Sequence, residues 1–261
     1  MLLALDVGNT NIKIGIFEHK KVIQYARLTT EIGKTSDEYG LLVSSVIKYA
    51  SIDREDIEGI IIASVVPSIN YTLEHMCQTF FDIKPLLVGP GLRSGMNIMY
   101  DNPREVGADR IVSAIAAYDK MGGPCIVIDF GTATTFGAIS EKGDFLGGAI
   151  MPGLKVSMEA LVNNAAKLPR IELIKPKRAI GKSTEENMQS GVILGYVGAV
   201  DRIIQEMKAE LGEHAKVIAT GGMSNLIGPI SDTIEHVDGR LALHGLRIIY
   251  ERNKARGREK K

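Results

Sequence analysis

The stretch CIVIDFGTATTFGAI, residues 125–139, repeats the plan of LLALDVGNTNIKIGI, residues 2–16. In each, an apolar run ends at an aspartate, a polar turn follows, and an alternating run resumes, which reads as strand, turn, strand. The first turn is Asp6-Val7-Gly8-Asn9-Thr10-Asn11 and the second is Asp129-Phe130-Gly131-Thr132-Ala133-Thr134, so both fit D-hydrophobic-G-[N/T]-x-[N/T]. Met121 to Pro124 (MGGP) breaks the chain just before the second copy. One such turn alone is an ordinary Asp/Asn/Gly hairpin. The same turn in the same strand context at the head of each half argues for duplication, with domains over residues 1–118 and 119–261 and a ligand between them.

Working outward, a third strand is expected from Lys21 to Thr29, and Thr35 with Glu38 forms a capping-box pattern ahead of apolar residues at helical spacing. Gly59 to Val66 reads as a buried strand, Ile69 to Phe81 as a helix and Leu86 to Val88 as a strand. Asn102, as N-cap before Pro103, predicts a helix running to about Tyr118. In the second half, Glu172 to Thr184 is a Lys-rich exposed connection, Thr184 to about Leu211 a helix, and Lys216 to Ala219 a buried strand ahead of Thr220-Gly221-Gly222-Met223-Ser224. The last helix is placed over Leu241 to Tyr250, with Arg252 to Lys261 a solvated basic tail to which no function is assigned. Alternating strands and helices give an α/β class.

Composition narrows the partners. Lys plus Arg total 31 and Asp plus Glu total 31 in 261 residues, which removes the basic bias of a nucleic-acid or anionic-membrane binder while allowing a small anionic ligand. The longest apolar run, Ile60 to Val66, falls well short of the roughly 20 residues needed to cross a bilayer. The opening MLLALDVGNT lacks the basic region of a signal peptide, and Cys77 and Cys125 have no paired spacing for a disulfide framework or zinc site, so a reducing cytoplasm is expected.

A strand-turn-strand with a central glycine, hydroxyl and amide side chains and an acid at the strand end carries the parts needed to hold a phosphate and its metal ion. Two imitations fail. Gly181-Lys182-Ser183 and Gly33-Lys34-Thr35 resemble P-loop ends, but the required earlier glycine falls on Pro176 and Leu28. Gly89 to Gly95 (GPGLRSG) has one residue too many for a dinucleotide loop and reads as a tight connection. Asp101 to Arg110 (DNPREVGADR) sets an acid and a base near a helix start, which suits either anionic substrate binding or plain capping.

Taken together, DVGNTNIKIG, YDNPREVGADRI, VIDFGTATTF, GGAIMPGL and TGGMS resemble the motifs of the type III pantothenate kinases, nearly end to end. These belong to the actin, sugar-kinase and Hsp70-like ATPase superfamily. The resemblance implies an α/β fold of two similar duplicated domains with the nucleotide in the interdomain cleft. It implies ATP binding by Asp6, Val7, Gly8, Asn9, Thr10, Asn11, Ile12, Lys13 and Thr132. Pantothenate would be held by Tyr100, Gly107, Ala108, Asp109, Arg110 and Thr184, with Asp109 the proton acceptor, and a monovalent cation (K⁺ or NH₄⁺) by Asp129. Ser183 and the stretch Glu185-Glu186-Asn187 around Thr184 depart from the commoner wording of the family. ATP, Mg²⁺, the cation and a homodimer complete the expectation. The rival readings are a kinase for another small alcohol on the same fold, since the phosphate turns are shared across the superfamily, and a non-catalytic regulatory protein.

Overall fold

The computed structural model describes residues 1–89 and 92–259. The chain forms two compact units: residues 1–96, 102–116 and the C-terminal segment from 242 make the first, and residues 97–101 and 117–241 the second.

The first unit opens with β1 (Leu2–Val7), β2 (Asn11–Glu18) and β3 (Lys21–Thr29), followed by α1 (Ser36–Tyr49), β4 (Gly59–Ser64), α2 (Asn70–Phe81), β5 (Leu86–Leu87) and α3 (Ala108–Met121). Its sheet runs β3-β2-β1-β4-β5, with β1 antiparallel to β2 and parallel to β4. Successive side chains of a strand point to opposite faces. One face therefore presents Leu3, Leu5, Val7, Ile12, Ile14, Ile60 and Ile62 to Tyr39, Val43 and Ile47 of α1 and Leu73, Met76 and Cys77 of α2, all buried. The start of α1 is held by the expected capping box: the Glu38 amide donates to Thr35 Oγ1 at 3.2 Å and the Thr35 amide to Glu38 Oε2 at 2.8 Å. On the other face, near the strand ends, Asp6 stands opposite Lys13 on β2 and Ala63 on β4.

The second unit repeats the plan. It contains β6 (Cys125–Phe130), β7 (Ala133–Ile139), β8 (Phe145–Pro152), α4 (Leu154–Asn164), α5 (Thr184–Leu211), β9 (Lys216–Thr220), the short α6 (Ser224–Ile227) and β10 (His236–Val237). Read from its other edge, the order β8-β7-β6-β9-β10 is that of the first sheet, strand for strand, with the same parallel and antiparallel pairings. Ile126, Ile128, Phe130, Phe136, Val217 and Ala219 pack with Ile193, Tyr196, Val197 and Val200 of α5. The turns differ by one residue, however. Val7 pairs with Ile12, leaving four residues between them, whereas Phe130 pairs with Thr134, leaving three. Beyond the turn, then, Thr134 corresponds to Ile12 and Thr135 to Lys13, one place off the ungapped match.

Three expectations are corrected here. The helix expected from Asn102 to Tyr118 is two elements: Asn102 caps only a 3₁₀ turn at Pro103–Glu105, Val106 is extended (φ −77°, ψ 117°), and α3 restarts at Ala108. Gly107, the poorest helix former after proline, sits at that break, and Asp109 thereby falls in the first turn of α3.

The last helix, α7 (Leu241–Glu259), extends well past Tyr250. Lys, Arg, Glu and Ala favour helix even without an apolar stripe, and the supposed tail is tied to the first unit: Asn253 Nδ2 donates to the Arg93 carbonyl at 3.1 Å and Arg252 Nη1 to that of Ser94 at 2.5 Å. For the same reason α7 belongs with the first unit, where Leu243 lies against Gly15 and His244 against Phe17, and not with the half of the sequence that precedes it. Residues 90 and 91 of the Gly89-to-Gly95 connection, and 260 and 261 at the chain end, lie outside the described residues.

Candidate functional site

The first phosphate turn is closed by the Gly8 amide donating to the Asn11 carbonyl at 3.0 Å. Thr30, just after β3, braces it twice, its hydroxyl donating to the Gly8 carbonyl at 2.7 Å and its amide to the Thr10 carbonyl at 3.0 Å. Asn9, Thr10 and Asn11 are exposed, so their polar groups face outward, whereas the side chains of Val7 and Ile12 are in the core and only their backbone is available to a ligand. Asp6 is 5% exposed and forms an ion pair with Lys13 Nζ at 3.0 Å across the β1–β2 pair. A carboxylate this deep requires such a partner.

In the same unit, Asp109 is partly buried in the first turn of α3, with its Oδ1 accepting the Arg110 amide at 2.9 Å. Burial raises its pKa above the ordinary 3.8, and the charge of Asp6 adds to the rise; the Arg110 amide and the charges of Arg110 and Lys13 oppose it. A carboxylate so raised is a stronger base than a free one. Gly107 leaves room for it, because a Cβ there would stand 2.5 Å from Asp109 Oδ1. Gly107→Ala should therefore displace the carboxylate and lower kcat by roughly 10-fold to 10²-fold, since small misplacements of a reacting group cost that much. Circular dichroism melts should show little change in Tm, because Gly107 lies ahead of α3 and the atom a new Cβ would strike is the end of a movable side chain.

In the second unit, the Gly131 amide donates to the Ala133 carbonyl at 3.1 Å, and the Thr132 carbonyl accepts from Gly153 at 3.1 Å. Tyr196 of α5 braces this turn from the core: its hydroxyl is hydrogen-bonded to Thr134 Oγ1 and donates to the Pro152 carbonyl at 3.2 Å. Asp129 is half-buried, opposite Thr135 on β7 and Thr220 on β9. The TGGMS turn closes against it, with Gly221 at φ 93° and the Met223 amide donating to the Phe130 carbonyl at 3.4 Å.

The expected pantothenate residues fall in both units. Gly107 to Arg110 belong to the first. Tyr100 belongs to the second, where its ring is 6.4 Å from that of Phe145, and so does Thr184, exposed as the first residue of α5 behind its N-cap Ser183. A cavity of about 420 Å³ in the second unit is lined by Met158, Val162, Ile171, Leu173 and Met223, with Lys155 and Arg170. Sequence reasoning passed over Thr30 and Tyr196, and it gave Thr135 and Thr220, both within quoted motifs, no role of their own. The threonines had a weak signal, since each closes or flanks a strand next to a phosphate turn. The cysteines are no nucleophiles, as burial pushes both thiols up to about 12.

The first unit thus offers backbone donors, a cation and a base, and the second offers a further polar turn beside a carboxylate. The groups of the first unit alone can hold a phosphorylated ligand and take a proton from an alcohol. Among the described residues, no helix is long and apolar enough to cross a membrane.

The sequence profile of the type III pantothenate kinases matches residues 2–206. A type III pantothenate kinase of Moorella thermoacetica is 52% identical over 97% of this chain and 100% of its own, and one of Myxococcus xanthus 50% identical over 98% and 100%. MreB 5 of Spiroplasma citri, solved bound to AMPPNP, superposes with a TM-score of 0.57 at 10% identity, covering 100% of this chain and 98% of its own, a likeness of fold alone.

Proposed function

Since this chain belongs to the type III pantothenate kinase family, we propose that the turn at Asp6 to Lys13 receives ATP and that Asp109 takes the proton of the pantothenate hydroxyl. The enzyme transfers the γ-phosphoryl group of ATP to pantothenate, giving 4′-phosphopantothenate in the first step of coenzyme A biosynthesis. The rival readings, a kinase for another alcohol or a non-catalytic regulator, give way to a match that spans the substrate segment as well as the phosphate turns.

Phosphoryl transfer through a loose transition state needs alignment and charge neutralisation more than covalent chemistry. On this reading the amides of the first turn and Lys13 hold the phosphates, and Thr132 is a further nucleotide contact. Arg110 pairs with the carboxylate of pantothenate, Tyr100, Gly107, Ala108 and Thr184 complete its site, and Asp109 orients the hydroxyl and accepts its proton late. The observation that carries the assignment is the placement of Asp109, partly buried in the first turn of α3 with its Oδ1 accepting the Arg110 amide at 2.9 Å, in the same unit as the Asp6–Lys13 pair.

Mg²⁺ fits the donors present. It binds through one or two carboxylates plus phosphate oxygens, and Asp6 is one such carboxylate. When bound, it neutralises charge on the phosphates. Asp129 is assigned the monovalent cation. The cavity beside Met223, lined by Lys155, Glu159, Asn163 and Arg170 as well as by apolar side chains, is assigned the adenine base. We also take the enzyme to be a cytoplasmic homodimer. Support for a subunit interface comes from edge strand β8, which exposes Leu146 and Ile150, with Met99 also exposed alongside.

Incubated with ATP, Mg²⁺, K⁺ and pantothenate, the purified protein should yield 4′-phosphopantothenate by mass spectrometry. Absence of product above a no-enzyme control, under several cations, would overturn the reading.

A further inference from the structure

The face of the first sheet that carries Asp6 also carries the last helix. Residues directly opposite on neighbouring strands share a face, so its rows across β2, β1 and β4 are Lys13, Asp6, Ala63, then Gly15, Ala4, Ile61, then Phe17, Leu2, Gly59. α7 packs on the last two rows. Leu243 rests on Gly15, where a Cβ would stand 2.9 Å from Leu243 Cδ1, the His244 ring lies 5.7 Å from that of Phe17, and Tyr250 fills the space over Gly59. Beyond Tyr250, Arg252 and Asn253 tie the helix to the Ser94 and Arg93 carbonyls. α7 is thus fastened along its length.

Gly245 lies between those anchors, against α3. A Cβ on it would strike the Val112 carbonyl oxygen and come within 2.8 Å of the carbonyl carbon and 2.9 Å of Val112 Cγ1. The contact is with backbone, so no change of rotamer can make room for a methyl group, and in a close-packed interior one helix must move. With α7 anchored on the sheet, that helix is α3. Glycine is a poor helix former, and the closeness of α3 is the reason for one here. Val112 is less than one helical turn beyond Asp109 and Arg110, and the charges of Asp6 and Lys13 reach Asp109.

We infer that Gly245 is a positioning residue: by letting α3 seat directly on α7, it fixes where Asp109 and Arg110 stand relative to the Asp6–Lys13 row. This rests on the reading that Asp109 and Arg110 meet the hydroxyl and carboxylate of pantothenate.

The test compares Gly245→Ala with Gly59→Ala, which crowds the same helix at Tyr250, well below both melting transitions. Gly245→Ala should lower kcat by on the order of tenfold or more, since a misplacement of about 1 Å can cost 10²-fold. Its KM for pantothenate should rise severalfold and its KM for ATP should hold, the split expected when one substrate's contacts are displaced. With Mg-ADP present, pantothenate should raise its Tm less than that of wild type. Gly59→Ala should keep kcat and both KM values, because Gly59 starts β4 at the end away from Ala63.

A Gly245→Ala enzyme with wild-type kcat and pantothenate response overturns the inference. So does an equal fall in kcat in both variants, which marks a general loosening of α7. If Asp109→Asn still loses kcat in either case, the reading of Asp109 stands without Gly245; if Asp109→Asn keeps near-normal kcat, both fall. Should Gly245→Ala not fold, Val112→Leu decides the matter, since it crowds the same seam from α3 at a fully buried position. It should lower kcat severalfold with KM for ATP held, and an unchanged kcat in it overturns the inference.

Discussion

Replacing Asp109 by Asn should lower kcat by on the order of 10² to 10⁴, the usual contribution of a positioned general base, while nucleotide binding survives. Asparagine keeps the shape and can still meet the hydroxyl, but cannot accept its proton. Nucleotide binding survives because the phosphate turn is held by Thr30, Gly8 and Asn11, not by α3. A folded Asp109→Asn enzyme with near-normal kcat would place the base elsewhere.

Stability of the ligand-free variant should move the opposite way. The folded-state pKa of Asp109 is raised by burial and by Asp6, so the stability this group contributes is fully present below the unfolded value of 3.8 and is lost as pH rises through the higher folded value. At neutral pH the wild type carries a disfavoured charge that asparagine lacks. Asp109→Asn should thus melt higher than wild type at pH 7, with the gap closing as the pH falls below 3.8. A gap that stays constant across that range would show that burial does not penalise the carboxylate.

The second large effect is expected at Lys13. Lys13→Met keeps most of the aliphatic stem and removes the ammonium 3.0 Å from Asp6, whose side chain is only 7% exposed. Stripping one partner from a buried pair leaves an uncompensated charge and typically costs about 3–5 kcal/mol, readable by urea denaturation. Adding Asp6→Asn to Lys13→Met should recover most of the loss, because the stranded charge goes with it; the double-mutant cycle isolates that coupling. A Lys13→Met protein within about 0.5 kcal/mol of wild type, the range of ordinary surface changes, would mean that Asp6 is solvated well enough without it.

What could be read in the sequence, and what could not, follows from how far apart the interacting residues lie. The Thr35–Glu38 cap, the β1–β2 and β6–β7 hairpins and the span of α5 were legible because each depends on residues within a few positions of one another. The break before α3 was not. Asn102 and Pro103 are sound helix-start signals, but here they serve one 3₁₀ turn, and the continuation past Val106 hangs on packing. Likewise the basic run at the chain end carries no apolar pattern, and contacts with Arg93 and Ser94, far away in the chain, make it part of the first unit.

By itself, the sequence determined the duplication, the α/β class, the family and the two strand-turn-strand units at Asp6 and Asp129, since these rest on repeated local patterns and motif wording. Only the tertiary structure decided which side chains stand beside the two aspartates. The ungapped match set Asn11 against Thr134, but the second turn is one residue shorter, so Thr135 takes the place of Lys13. A one-residue shift in a strand moves every side chain to the other face. Thr220 stands opposite Asp129 only because β9 lies parallel to β6, a pairing of strands distant in the chain. Strand register and burial set those neighbours, and both arise from the packing of residues distant in the chain.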